Sequence, residues 1–251
     1  MSGWQLQTRQ FLLPKSGHQL SECEDAVGIN ALKSRFAVAD GATEAFDARS
    51  WARLLAHSWV EIEAPVLTPE GFRAWIEAQG QSLHDSWNGL KLSWYAEEKA
   101  RAGSFAAFVG LQLDFKAGAS SWKAIALGDS CLIHRRNKSV LGALPIADYQ
   151  GFNAAPLLVP SRASMQEAVW QQVIVGQGTI EAGDVLLLLS DAVAAWYLML
   201  LERDEKALAR FDNLIRDERE AELATLFESE RVAGRIKDDD IAVVRVEIMG
   251  L

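Results

Sequence analysis

Short runs of alternating or wholly apolar residues occupy both ends of the chain, and two longer stretches between them repeat apolar residues at helical spacing. Trp4 to Phe11 alternates in part, Ala26 to Ile29 is short and apolar, and Arg35 to Ala39 stops at the turn signal Asp40-Gly41. Each is read as a strand. From Ala48, the residues Trp51, Leu54, Leu55 and Trp59 recur as one face of a helix, with Val60 close by. Pro65 and Pro69 break that pattern, and Thr68-Pro69-Glu70 has the form of a helix start with proline at the first position. Phe72, Trp75, Ile76, Leu83, Trp87, Leu90 and Trp94 then mark a second helix, with an interruption expected near Gly80. The two helices predict an antiparallel pair packed on a flat surface. Their tryptophans are expected in the core rather than on a ligand platform.

Strand patterns return at Ser104 to Phe115, which ends in Lys116-Ala117-Gly118, and at Trp122 to Leu127, which runs into Gly128-Asp129. Cys131 to His134, Val169 to Val175, Val185 to Leu189 and Ile241 to Ile248 are further expected strands, and Pro145 to Ser161 is expected as a loop. Ala194 to Glu230 reads as helices. The order predicts an α+β protein of packed layers. No linker, repeat or low-complexity tract divides residues 1–251, so a single domain is expected. Val185 to Leu201 is apolar enough to suggest a membrane span, but it is shorter than the about 20 residues a span needs. It also carries Ser190 and Asp191 at its middle, so a buried strand, a turn and a buried helix are the better expectation, with no membrane contact.

Composition narrows the function classes. The chain carries 25 Lys+Arg against 34 Asp+Glu, a formal net charge of -9, which argues against nucleic acid as the main ligand. The surplus serves solubility by default, and only particular aspartates could make it a set of cation ligands. Cys23 and Cys131 allow at most one bridge and fit a reducing compartment. The first residues lack the order of a secretory signal, and a cytoplasmic protein is expected. His134, Arg135, Arg136 and Lys138 form a basic hairpin end, read as a solvated turn with a docking role as the sharper option.

The informative feature is the position of the acids. Asp40, Asp129 and Asp191 each end an apolar strand, Asp239 precedes one, and Glu24-Asp25 stands before another. A single acid at a strand end is usually a turn former or a helix cap. Five such sites are different, because strand ends brought together make carboxylates that repel unless protonated or bound to cations. With no ligand spacing among His18, His57, His84 and His134, the expected cations take oxygen ligands: Mg²⁺ or Mn²⁺.

In order along the chain stand Glu24-Asp25-Ala26, Asp40-Gly41, Gly103-Ser104, Gly128-Asp129-Ser130, Ser190-Asp191-Ala192 and Asp239-Asp240. This succession resembles the metal-dependent protein phosphatase 2C family of serine/threonine phosphatases, in a divergent bacterial form, over nearly the whole chain. The resemblance implies a four-layer α-β-β-α sandwich, two antiparallel sheets flanked by antiparallel helix pairs, with a binuclear Mn²⁺ or Mg²⁺ centre at one end. It implies that Asp40 bridges two metals, helped by the carbonyl of Gly41, and that Asp191 and Asp239 complete the first metal's ligands. Glu24, with Asp25 behind it, would hold the second metal, and Asp129 matches the aspartate able to support a third. Catalysis would then run through water activated at the metals held by Asp40, Asp191 and Asp239, without a covalent intermediate. The implied partner is a phosphoserine or phosphothreonine protein, with a cognate kinase as a further candidate, and the protein is expected as a monomer.

The chain departs from the family pattern in three places. Leu20 stands where many members carry a phosphate-gripping arginine, leaving His18 and Lys15 as the nearby cations. Ala42-Thr43 replaces the usual Gly-Gly or a histidine serving as general acid, and Ala192 replaces a glycine. Two readings therefore stand: an active phosphatase, and a pseudophosphatase that binds a phosphoprotein or regulates a kinase without turnover. A hydrolase of small phosphorylated molecules is a third. The loop Pro145 to Ser161, where related proteins place a substrate flap, is a candidate for setting specificity. Cys23 is expected as a plain buried thiol.

Overall fold

A computed structural model describes residues 4–64, 66–116, 120–153, 155–162 and 167–250. Pro65, Ala117 and Gly118, to which the sequence assigned a helix break and a strand end, lie outside the described residues. Strand β1 (Trp4–Leu13) is followed by β2 (Asp25–Asn30), β3 (Arg35–Gly41), helices α1 (Ala48–Glu61), α2 (Pro69–Ser86) and α3 (Trp94–Ala102), then β4 (Phe105–Asp114), β5 (Ser121–Leu127), β6 (Cys131–Arg136) and β7 (Ser139–Leu144). The two-residue β8 (Val159–Pro160), β9 (Ile174–Thr179) and β10 (Asp184–Leu189) precede α4 (Asp191–Arg203), α5 (Glu205–Arg216), α6 (Glu220–Val232) and β11 (Ile241–Gly250).

The strands form two antiparallel sheets, one ordered β1-β11-β10-β6-β7 and the other β2-β3-β4-β5-β9, with β8 on β4. Strand periodicity of two explains how they stack. On β11, Ala242, Val244 and Val246 point into the space between the sheets with Val38, Val109, Leu186 and Leu188. Ile241 and Val243 point outward against Trp196, Phe211 and Phe227 of the α4–α6 layer. On the other side, Ala37, Ala39, Phe108 and Ile125 turn outward to meet Trp51, Leu55 and Trp59 of α1 and Phe72, Trp75 and Ile76 of α2. The fold is thus an α-β-β-α sandwich, with a third helix added to each expected pair. Within it, α3 buries none of its residues.

The structure corrects four local readings. Helix α2 runs unbroken through Gly80 and ends at Ser86, and Leu90 and Trp94 belong to a connection and to α3. Gly80 is there for close approach: a Cβ would lie 2.0 Å from the Ser161 carbonyl oxygen. The expected strand over 169–175 is a 3₁₀ turn, Glu167–Gln172, followed by β9, because Val169 and Trp170 pack beneath α2 instead of entering the ladder. Strand β7 is a further edge strand that the sequence pattern did not mark. Trp94 is 78% exposed, against the expectation of core tryptophans, which Trp51 and Trp59 meet at 0%. Thr68 does cap α2, accepting from Gly71 N at 3.1 Å. No helix among the described residues is long and apolar enough to cross a membrane.

Candidate metal centre

The acids gather at one end of the sandwich. Antiparallel pairing of β2 with β3 sets Asp25 directly opposite Asp40, a placement that costs energy for two like charges. Gly41 follows at a point where three chain segments meet, since a Cβ there would lie 2.9 Å from the carbonyl oxygens of both Ala48 and Glu24. Asp191 opens α4, where the helix dipole favours a negative charge, and accepts from Ala192 N at 2.5 Å. Ala192 sits in that first helical turn, so ordinary backbone angles suffice where the family pattern has glycine. Asp239 ends the segment entering β11. A cleft of about 240 Å³ is lined by Asp40, Gly41, Asp129, Asp191, Asp239 and Lys237, with Pro156 and Leu158 of the expected loop forming part of its wall.

Glu24 approaches from the side. Its Oε2 accepts from the Thr43 hydroxyl at 2.6 Å and lies 3.6 Å from Lys15 Nζ. Asp240 has a separate task that its neighbour in the motif does not share. Its two oxygens accept from Lys15 N at 2.8 Å and Glu24 N at 2.7 Å, tying the N-terminal segment to β11. His18 does not enter the cleft: it is exposed and faces Asp238 instead. Leu20 is 57% exposed in a 3₁₀ turn and is not among the cleft's lining residues. Gly103-Ser104 serves as a junction, with Ser104 N donating to Ser161 Oγ at 2.8 Å.

The electrostatics set this end apart. Burial pushes the Asp25 carboxyl well above the usual carboxylate range; a Ser190 hydrogen bond opposes this, and Asp240 and Asp191 add to it. Asp25 Oδ2 is buried with no hydrogen-bond partner. Asp40 is pushed well up by burial and by Asp25, Asp191, Asp129 and Asp239. Asp129 rises to about 6 through burial and the nearness of Asp191. Cys23 and Cys131 are buried thiols raised to about 12, chiefly by burial, which makes them inert at neutral pH.

The donors are carboxylate and backbone oxygens, the set that suits Mg²⁺ or Mn²⁺, and the orphaned Asp25 oxygen beside Asp40 lacks the counter-charge such an ion supplies. In donor chemistry the residues fit a divalent metal. Among the described residues, though, no three His, Cys, Asp or Glu side chains converge tightly enough to hold an ion as they stand. What the sequence did not reveal is Lys237, whose Nζ lies 3.1 Å from Asp191 Oδ2 and 2.6 Å from Asp239 Oδ2. Those two oxygens are therefore no further apart than the two contacts laid end to end. The only available signal was a lysine two residues before Asp239.

The basic hairpin end is corrected as well. Each of its side chains is taken by an acid: His134 and Arg136 by Asp184, Arg135 by Asp212 and Lys138 by Glu205.

Comparison with solved structures places this arrangement. The catalytic domain of the serine/threonine protein phosphatase PstP, solved with two manganese ions, superposes with a TM-score of 0.63 at 16% identity, over 98% of this chain and 99% of that one. The fold is that of the protein phosphatase 2C family. PppA, a regulatory component of the type VI secretion system (T6SS) in Pseudomonas aeruginosa, shares this phosphatase 2C fold with a TM-score of 0.59 at 15% identity, covering 97% and 98% of the two chains. The photosystem II phosphatase PBCP gives 0.60 at 17%, covering 98% and 100%. No protein-family model matches the sequence, and no curated protein matches it.

Proposed function

We propose that the protein is a metal-dependent phosphatase acting on phosphoserine or phosphothreonine in a protein substrate. The observation that carries this reading is the cross-strand pair of buried Asp25 and half-buried Asp40, left without a counter-charge and neighboured by Asp129, Asp191 and Asp239. The likeness to PstP, a phosphatase solved with two manganese ions, supports it at the level of fold. Asp40, Asp191 and Asp239 would hold one divalent ion, and Asp40, the Gly41 carbonyl and Glu24 a second. Bound ions of this kind supply Lewis acidity, which provides a nucleophile at neutral pH and offsets phosphoryl charge.

The chain's own residues prepare the site. Asp240 anchors Glu24 through its backbone, and the Thr43 hydroxyl aims the Glu24 carboxylate. Asp25, the buried member of the pair, would be stabilised in its charged form by a cation held at Asp40. Pro156 and Leu158 form an apolar part of the cleft wall. Asp129, at the cleft wall, would support a third and looser ion.

A second reading, the pseudophosphatase, is favoured by one observation: an ammonium already rests between Asp191 and Asp239. Mn²⁺-dependent hydrolysis of p-nitrophenyl phosphate and of a phosphothreonine peptide separates the two. Turnover is expected to fall more than about a hundredfold in Asp40→Asn and in Asp191→Ala. Absence of turnover in the parent despite Mn²⁺ binding would leave the pseudophosphatase. Turnover that survives both substitutions would remove the metal assignment.

A further inference from the structure

Lys237 enters no step of the proposed chemistry, yet it is the sole basic side chain lining the cleft among the described residues. Its side chain is 63% exposed, and its ammonium reaches Asp239 at 2.6 Å and Asp191 at 3.1 Å. Both acids have one oxygen committed elsewhere: Asp191 Oδ1 accepts from Ala192 N at 2.5 Å, and Asp239 Oδ1 from Asp240 N at 3.0 Å. The ammonium sits on the other oxygen of each, Oδ2. A carboxylate oxygen has two lone pairs, so the conflict with a metal is one of place and charge: the ammonium sits between the two Oδ2 atoms that a shared divalent ion would take, and two cations so close repel each other.

We infer that Lys237 is an internal counter-ion of the metal centre, holding Asp191 and Asp239 when no metal is bound and displaced from them when a divalent ion enters. The inference rests on the metal-dependent reading above. Displacement is open to a side chain that is largely exposed and outside any strand or helix. Metal binding then carries the cost of breaking two charge-assisted hydrogen bonds, so the lysine sets the metal concentration at which the centre fills. The arrangement also accounts for how seven acids, Glu24, Asp25, Asp40, Asp129, Asp191, Asp239 and Asp240, can share one sheet end before any cation arrives. Lys15 on Glu24 and Lys237 on Asp191 and Asp239 neutralise part of that charge from two sides.

The test is calorimetric titration of the full chain, stripped of metal by chelation, with Mn²⁺ alone. Lys237→Gln is expected to bind Mn²⁺ on the order of tenfold more tightly than the parent, and Lys237→Arg to stay near it. Removing the lysine leaves the acids unpaired, so the gap in thermal midpoint between the metal-free and Mn²⁺-loaded forms is expected to widen in Lys237→Gln. Lys237→Met serves as a second neutral variant should Lys237→Gln fold poorly. Binding by Lys237→Gln alone, with none by the parent, would also support the inference. Equal or weaker affinity in Lys237→Gln, with the parent binding Mn²⁺, overturns the inference and leaves the metal reading standing. No binding by either protein overturns both.

Discussion

Asp25 and Asp184 are both carboxylates with almost no exposed surface, 3% and 0%, and the same sandwich treats them in opposite ways. At Asp184, both carboxylate oxygens have donors. Arg136 Nε meets Oδ1 at 2.7 Å, while Arg136 NH2, His134 Nε2 and Glu181 N each meet Oδ2 at 2.9 Å. Trp122 Nε1 donates to His134 Nδ1 at 3.1 Å, which fixes the proton of a neutral ring on Nε2, facing the acid. Burial alone would raise Asp184, but Arg136, the Glu181 amide and His134 bring it below its ordinary value. At Asp25, one oxygen has no partner and the facing residue is another aspartate. A buried acid with a full set of donors holds a fold together. A buried acid facing other acids is retained at a cost to the fold, a cost that a bound cation would offset.

The largest effect expected from this contrast is on stability at the satisfied end. Asp184→Asn removes the charge that His134, Arg136 and the Glu181 amide surround, and is expected to lower unfolding free energy by about 3 kcal/mol in urea titration. Mn²⁺ affinity should not change. A loss below about 0.5 kcal/mol would show that the network is not the staple its geometry suggests. Asp25→Asn is expected to move the other way. Without metal at neutral pH it should stabilise the chain by about 1 to 2 kcal/mol, because it removes an unpaired charge, while Mn²⁺ binding weakens. If Asp25→Asn destabilises the metal-free protein, the two ends are alike after all.

Much of this was legible in the sequence, and the reason is geometric. Aspartates at the ends of apolar runs mark where strands stop, and antiparallel sheets bring their stops together, so Asp40, Asp129, Asp191 and Asp239 could be placed at one cleft before any coordinates. The layers followed from periodicity, as Trp51, Leu55 and Trp59 show on α1. What periodicity cannot show is which side chain a charged residue meets. Lys237 reads as one more surface lysine, and Asp240 reads as a twin of Asp239 although its oxygens serve backbone amides. His134 and Arg136 read as an exposed basic turn because their partner Asp184 lies 48 or more residues away. Gly80 reads as a break in α2 for the same reason, since its neighbour is the distant Ser161 carbonyl.

A smaller effect separates the two ends by pH. Asp25, Asp40 and Asp129 have folded values raised above the unfolded one, so their contribution is full below the ordinary carboxylate value of 3.8 and is lost as pH rises, for Asp129 through about 6. Asp184 has the reverse sign: its contribution is present above that value and lost on acidification. The thermal midpoint of the metal-free protein is therefore expected to decline by a few degrees on going from about pH 5 to pH 7. Asp25→Asn should flatten that decline and Asp184→Asn should leave it. A midpoint that rises steadily over this range would mean that the cleft acids are charged at little cost.

The smallest expected effect tests whether the acidic cleft is uniformly strained or contains satisfied acids of its own. Glu24 is the candidate for the latter, since its Oε2 accepts from the Thr43 hydroxyl at 2.6 Å and has Lys15 Nζ at 3.6 Å. Thr43→Val keeps the branched shape and deletes the donor. The contact lies near solvent, where water replaces a lost partner, so the expected loss of stability is no more than about 1 kcal/mol. The change in Mn²⁺ affinity should be a fewfold weakening, because Glu24 loses its orientation and keeps its charge. A large loss of stability would place Glu24 with Asp184, as a structural acid. A tightening of Mn²⁺ binding would place Thr43 with Lys237, as a group the metal must first push aside.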